Sequence, residues 1–119
     1  MTRTTPVRRA LLLALLAPAA FAAQVTDATA PPSPQRQEAL VRLVRQDCGS
    51  CHGMQLTGGL GPPLTRHALA DRSLETLVAV TLYGRPGTPM PGWHSMLSEA
   101  DAVWIAQKLR IGFPSEGAR

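Results

Sequence analysis

Apolar residues recur with helical spacing in three stretches of the chain. The first, residues 35 to about 47, follows a Ser33–Pro34 pair, a typical N-cap with proline in the first turn. Further stretches span residues 74–82 and 99–112. The apolar positions that carry this pattern are Ala39, Leu40, Leu43, Val44, Leu74, Leu77, Val78, Leu82, Ala102, Ile105, Ala106 and Leu109.

Capping residues and helix breakers delimit these stretches. Asp71 or Ser73 is a candidate N-cap for the second helix, and residues 98–101 (Ser-Glu-Ala-Asp) form a capping-box start for the last one. Glycines and prolines crowd residues 49–63 and 84–92, which we expect to be loops. The sequence has no alternating strand pattern. We therefore predict an all-α domain of three or four short helices.

The N-terminus has the features of an export signal. Its positive start precedes an apolar run, residues 10–23, that only Pro18 interrupts, and residues 20–22 (Ala-Phe-Ala) fit a cleavage site. A run of 14 residues is shorter than the roughly 20 that a membrane-spanning helix needs. We therefore expect a signal peptide, residues 1–22, cleaved near Ala22 or Ala23, a periplasmic mature protein and no stable membrane anchor. An uncleaved anchor is the less favoured alternative.

Cleavage also changes the charge of the chain. The full sequence has 12 Lys and Arg against 8 Asp and Glu, a net charge of +4, and residues 1–22 contain Arg3, Arg8 and Arg9 but no acid. The mature chain of 97 residues then has a net charge of +1. This near-neutral balance argues against nucleic acid and anionic membranes as partners.

The mature chain divides into three parts. Residues 23–34, with three prolines, predict a flexible linker. Residues 35–112 form the single domain and residues 113–119 a C-terminal tail. The 45% hydrophobic content excludes a disordered chain, and the 2 cysteines exclude a multi-disulfide scaffold and a four-cysteine zinc site.

The candidate chemistry lies in residues 48–52 (Cys-Gly-Ser-Cys-His). C-x-x-C-H is the attachment signal for c-type haem, because two thiols three positions apart can bond the two vinyl groups of the porphyrin. Cys48 and Cys51 would then form thioethers, and His52 would be the proximal iron ligand. The alternatives are a thioredoxin-like couple, which lacks its βαβ pattern, half of a zinc site, and a simple disulfide.

A sixth iron ligand would come from the remaining methionines or histidines. Met90 is favoured because prolines on both sides stiffen its loop, whereas Met54 follows the proximal histidine too closely. Met96, His94 and the absence of a sixth ligand are the alternatives, and His67 is expected to be a surface residue.

The order of these motifs resembles that of class I c-type cytochromes. It runs from C-x-x-C-H through residues 61–64 (Gly-Pro-Pro-Leu) and 90–91 (Met-Pro) to Trp104 in the last helix. The resemblance implies a small fold whose helices wrap one covalent haem, with the first and last helices crossing near Leu40 and Trp104. It also implies that the carbonyl of Pro62 accepts a hydrogen bond from the proximal histidine.

Two longer segments, residues 51–62 and 84–93, resemble the small c55X-type cytochromes. These are associated with the cytochrome cd1 nitrite reductase of denitrifying bacteria. The resemblance implies either electron delivery to that reductase or participation in the maturation of its haem d1, with the reductase or a maturation enzyme as partner.

The residues present favour an electron carrier over an enzyme. No catalytic triad or carboxylate pair has suitable spacing, and a methionine ligand would close the iron site. A peroxidase-like enzyme with a displaceable methionine, using His94 and Arg85, is the less favoured alternative. The partner surface would be an exposed haem edge ringed by Leu60, Pro91 and Trp93.

A haem would also complete a core that is poor in aromatic residues, which make up 4% of the chain. A chain this short has little core of its own, so we expect the apoprotein to be unfolded or molten. The leucines expected to pack on the macrocycle are Leu40, Leu43, Leu64, Leu77, Leu82 and Leu109.

Overall fold

The computed structural model describes Met1 and residues 30–115, and this part of the chain is helical without strands. The prediction of an all-α domain is confirmed there. The predicted signal peptide and most of the linker lie outside the described residues. Between residues 30 and 115 we found no helix with the length and apolar character needed to cross a bilayer. The elements are α1 (Pro34–Leu43), a π-helical segment (Val44–Cys48), α2 (Gly49–His52), α3 (Leu74–Tyr83) and α4 (Glu99–Ile111).

The first helix begins as predicted but ends later. The Ser33 hydroxyl accepts the amide of Arg36, and proline occupies the first turn. The π-helical segment then joins α1 to α2, so the chain stays helical through His52 instead of ending near Asp47. Gly49 does not break the helix. It is buried, and a Cβ there would lie 3.2 Å from the Cα of Met54, so this glycine permits close packing.

The other two helices follow their capping signals. Ser73 caps α3 by accepting the amide of Thr76, and α3 ends at Gly84. In α4 the Ser98 hydroxyl accepts the amide of Asp101 while the Asp101 carboxylate accepts the amide of Ser98. Both partners of the predicted capping box are thus present.

The core lies where α1 and the π-helical segment meet α3 and α4. Leu40 and Val44 are fully buried there. Of the leucines expected to contact a haem, Leu43, Leu64 and Leu77 are only partly buried against this core. The buried members are Leu40, Val44, Leu56, Leu69, Leu82, Leu97, Ala102, Trp104, Ile105 and Leu109.

An ion pair joins the N-terminal ends of α1 and α4. Arg36 Nη2 lies 2.7 Å from Asp101 Oδ2 and also donates to the carbonyl of Met96. Burial opposes the charged form of Asp101, but the hydrogen bonds from Arg36 and from the Ser98 amide outweigh it and hold the pKa of this carboxyl below its usual value. This ion pair links the first and last helices near their N-terminal ends.

Candidate haem site

The C-x-x-C-H motif spans the last turns of the first helical stretch. Cys48 ends the π-helical segment, and Cys51 and His52 lie in α2. Both cysteines are free thiols; Cys48 is half-buried and Cys51 is exposed. Burial, with a smaller contribution from Asp47, raises the pKa of the Cys48 thiol to about 11. The two thiols lie three residues apart in the helical stretch and are not bonded to each other. Because its pKa is raised, the Cys48 thiol is neutral at ordinary pH.

The imidazole of His52 is held in one orientation. The side chain is buried, and its Nδ1 lies 2.6 Å from the carbonyl oxygen of Pro62. Because a carbonyl only accepts hydrogen bonds, this contact places the proton on Nδ1. The lone pair of Nε2 is then available for a metal, which is the arrangement of a histidine that binds iron.

A glycine-rich loop, residues 53–62, wraps around this ring. A Cβ at Gly61 would lie 2.8 Å from Cε1 and Nδ1 of His52, so only glycine leaves space for the imidazole. The amide of Gly61 donates to the carbonyl of Cys51 at 2.8 Å, and the amide of Gly58 donates to that of His52 at 2.9 Å. The loop is thus hydrogen-bonded to the last two carbonyls of α2.

The loop that carries Met90 is fastened to the C-terminal end of α3. Met90 is half-buried. Its carbonyl oxygen lies so close to Gly84 that a Cβ at position 84 would clash with it. Three backbone hydrogen bonds of 3.0–3.1 Å hold the loop: those from Arg85 to Met90, from Trp93 to Thr81 and from His94 to Leu82. The methionine therefore lies on a well-anchored loop.

The alternative ligands lie in different surroundings. Met54 is 57% exposed and Met96 is 55% exposed, so both point substantially into solvent. His67 is exposed as well, as the sequence predicted for a surface residue. His94 is exposed; its Nδ1 lies 3.2 Å from the carbonyl of Leu82 and its ring stacks on Tyr83.

The side-chain chemistry of these residues fits a c-type haem. Two free thiols lie beside an imidazole whose Nδ1 is already engaged, and Gly61 leaves no more space than the ring needs. Among residues 30–115, the buried Trp93 Nε1 lacks a hydrogen-bond partner, and water or a bound group is the kind of acceptor that would satisfy such a donor.

The sequence patterns do not point to Arg45, which donates to the carbonyl of Met54 just beyond the histidine. This contact has no local sequence signal, because a main-chain carbonyl leaves no mark on the residue that supplies it. Trp93, expected at the haem edge, is half-buried.

Comparison with known proteins gives consistent matches. Residues 35–107 match the family model described as cytochrome C oxidase, cbb3-type, subunit III. The cytochrome c55X of Paracoccus denitrificans is 56% identical over 102 residues, which are 86% of this chain and 92% of that protein. A solved structure of the c-type cytochrome NirC is 54% identical with a TM-score of 0.67, covering 68% of this chain and 95% of that one.

A longer protein contains a similar segment. The dihydro-heme d1 dehydrogenase of Pseudomonas aeruginosa is 40% identical over 74 residues. These residues are 62% of this chain but 15% of that protein, so the likeness concerns one part of a larger molecule.

Proposed function

We propose that this chain, which belongs to the cytochrome c55X family of c-type cytochromes, carries single electrons to cytochrome cd1 nitrite reductase in the periplasm. The observation that carries the proposal is the 2.6 Å contact between His52 Nδ1 and the Pro62 carbonyl, beside two free thiols. It leaves Nε2 as an oriented ligand at the point where the thiols can hold a porphyrin.

In this proposal each residue has a defined role. Cys48 and Cys51 hold one haem through thioethers, His52 is its proximal ligand and Met90 its distal ligand. The haem supplies a one-electron Fe(III)/Fe(II) couple. Pro62 keeps the imidazole in one tautomer and, by accepting its proton, makes Nε2 a stronger donor.

The anchoring of Met90 supports a carrier. Its half-buried side chain lies on a loop fixed to α3, so it can stay in place whether the iron is oxidised or reduced. The alternative of a peroxidase-like enzyme needs a mobile methionine and a free acid or base. His94 instead contacts the carbonyl of Leu82 and stacks on Tyr83.

The exposed side of the attachment motif is the proposed partner surface. Cys51 is exposed, and Leu60 is 94% exposed. The two residues lie close together, because Gly61, which follows Leu60, donates its amide to the Cys51 carbonyl. Pro91 is also exposed, whereas Trp93 is half-buried. Redox partners meet through small, transient contacts, and an apolar rim suits such an encounter.

Stopped-flow spectroscopy of the exported, mature protein tests the proposal. The reduced cytochrome should be reoxidised when mixed with oxidised cytochrome cd1 nitrite reductase and should support nitrite turnover. The Met90→Ala protein serves as a comparison, because it keeps covalent haem but changes its ligation. A wild-type protein that has full haem content but transfers no electrons to the reductase would overturn the proposal.

A second candidate function is redox support for haem d1 maturation. The similar segment within dihydro-heme d1 dehydrogenase favours it. A dehydrogenation releases two electrons, and a carrier with one haem would accept them in two successive steps. The same site would serve, with a different partner.

A deletion strain separates the two functions. If the chain supplies the reductase, deletion should leave haem d1 in the reductase and lower nitrite turnover. If it supports maturation, the purified reductase should lack the haem d1 absorption. Complementation with Cys48→Ala/Cys51→Ala should fail in either case, since both functions need the haem.

A further inference from the structure

Arg45 connects three separated parts of the backbone. It lies in the π-helical segment, and its Nη1 donates to the carbonyl of Met54 at 3.1 Å. Nη2 donates to the carbonyls of Phe113 at 3.1 Å and Pro114 at 2.8 Å, and Nε also donates to Pro114 at 3.2 Å. One guanidinium thus holds the chain just after the haem motif and the chain just after α4.

The C-terminal side of this contact is itself packed in place. The Phe113 ring lies 5.6 Å from the guanidinium carbon of Arg45 and meets Trp104 edge-on at 6.3 Å. The ammonium of Lys108 lies 5.5 Å from the Trp104 ring on its own helix. Residues 113 and 114, assigned from the sequence to a tail, therefore form a fixed support for Arg45.

The other side of the contact leads to the proximal histidine. Gly53, with φ +85°, turns the chain sharply after His52, and Met54 then packs against Gly49. This turn begins the loop that ends at the Pro62 carbonyl, the acceptor of the His52 proton. Arg45 therefore anchors the first turn of the loop that orients the imidazole.

We propose that Arg45 is a positioning residue for His52 and that residues 113–114 act through it. The proposal rests on the proposed haem site. Without the Arg45 anchor the loop moves more freely, and the hydrogen bond from His52 to Pro62 weakens. A weaker hydrogen bond makes the imidazole a poorer donor, which favours Fe(II) and raises the reduction potential.

The shape of the arginine side chain matters as well as its charge. A guanidinium presents five donors in a rigid plane, so it can bond several carbonyls at once. Lysine keeps the positive charge but offers a single ammonium on a flexible stem. Arg45→Lys therefore separates the geometric effect from the electrostatic one.

The test uses the mature holoprotein in four forms: wild type, Arg45→Lys, a chain ending at Gly112, and the two changes combined. Reduction potential and the exchange rate of the His52 Nδ1 proton in the reduced state are measured. Each single change should raise the potential and speed exchange up to about tenfold, the effect of weakening one hydrogen bond. The combined change should do little more, because both remove the same contact.

Arg42→Lys is the matched control, because Arg42 is exposed on α1 and should leave both readouts unchanged. A lower melting temperature in Arg45→Lys, with unchanged potential and exchange, would reduce Arg45 to a structural residue and overturn the proposal. Additive effects would overturn the role of residues 113–114. If Arg45→Lys does not fold, the shortened chain tests the same contact from its other end. Absence of covalent haem in the wild type would instead refute the proposed function.

Discussion

The His52 imidazole is the most constrained single group of the site. Pro62 fixes its proton on one edge and Gly61 lies against its ring, so the ring can neither turn nor shift without breaking a close contact. A histidine held in this way loses little freedom when it binds a metal. At the residue scale, the orientation of the proposed iron ligand is therefore set by its own neighbours in the chain.

Gly61→Ala should disturb this histidine directly. The added Cβ would lie 2.8 Å from the ring, and overpacking of this kind costs about 1–3 kcal/mol. We expect a lower yield of holoprotein and an altered haem spectrum. Gly87→Ala is the control, because a Cβ there meets nothing within 4 Å although its φ of +76° is unfavourable. A Gly61→Ala protein with the wild-type spectrum and stability would show that the loop yields easily.

Met90→Ala should remove the proposed distal ligand. We expect loss of the far-red sulfur-to-iron absorption band of the ferric protein and rapid carbon monoxide binding to the ferrous protein. The Met96→Ala control, a change at an exposed methionine, should keep the band. A Met90→Ala protein that retains the band would assign the ligand elsewhere.

At the scale of elements, helix ends are joined by polar contacts. Asp101 closes the capping box of α4 and also bonds Arg36 of α1, so one carboxylate sets both the start of the last helix and its meeting with the first. The predicted class I cytochrome c fold is confirmed by the likeness to a solved c-type cytochrome. The ion pair between these two helices requires Asp101 to be ionised.

Asp101 should make stability depend on acid. Its pKa is lower in the folded protein than the usual 3.8, so its contribution is complete above that value and is lost as the pH falls through the folded pKa. We expect Asp101→Asn to lower the unfolding free energy by about 1–3 kcal/mol at pH 7 and by less at pH 3. Urea unfolding at both pH values measures this. Asp71→Asn, at an exposed loop residue, is the control, and an equal loss at both pH values would contradict the assignment.

At the scale of the whole molecule, the described core is small and mainly aliphatic. Among residues 30–115, the largest fully buried side chains are those of Leu40 and Val44. Trp104 is the one aromatic residue of this part of the chain that is buried in the core. Leu43, Leu64 and Leu77 remain partly exposed. A haem would cover such surfaces and add the apolar area that a short chain lacks.

Cys48→Ala/Cys51→Ala should therefore give a loosely folded protein. We expect reduced helical circular dichroism, or near-native helix content with strong binding of a hydrophobic dye, together with a broad thermal transition. The holoprotein is the reference. Native helix content with cooperative unfolding in the double variant would show that the chain forms its core without the haem.

The family and several helix starts could be predicted from sequence because they depend on motifs and contacts between near neighbours. Ser33 and Ser98 cap helices as predicted, and of the two candidates for α3 it is Ser73 that caps it, since a cap bonds an amide two or three residues away. The C-x-x-C-H motif is equally local. The resemblance to c55X-type cytochromes, which follows from such motifs, is confirmed by the relatives.

The end of the first helix was predicted wrongly for a physical reason. The sequence predicts a loop from Gly49 because glycine disfavours helices. In the fold it is buried against Met54, and the helix continues to Gly53, where positive φ ends it. Packing outweighed intrinsic propensity at this position.

Near-neighbour patterns in the sequence are enough to predict three helical stretches, most of their capping residues and the C-x-x-C-H motif. Only the tertiary structure decided how Arg45 reaches residues 113 and 114, and that the loop ending at Pro62 lies against His52. Periodicity and caps act over a few residues, so the sequence displays them directly. Contacts with main-chain carbonyls that are up to 69 residues away arise only when the chain folds, since any residue can supply a carbonyl.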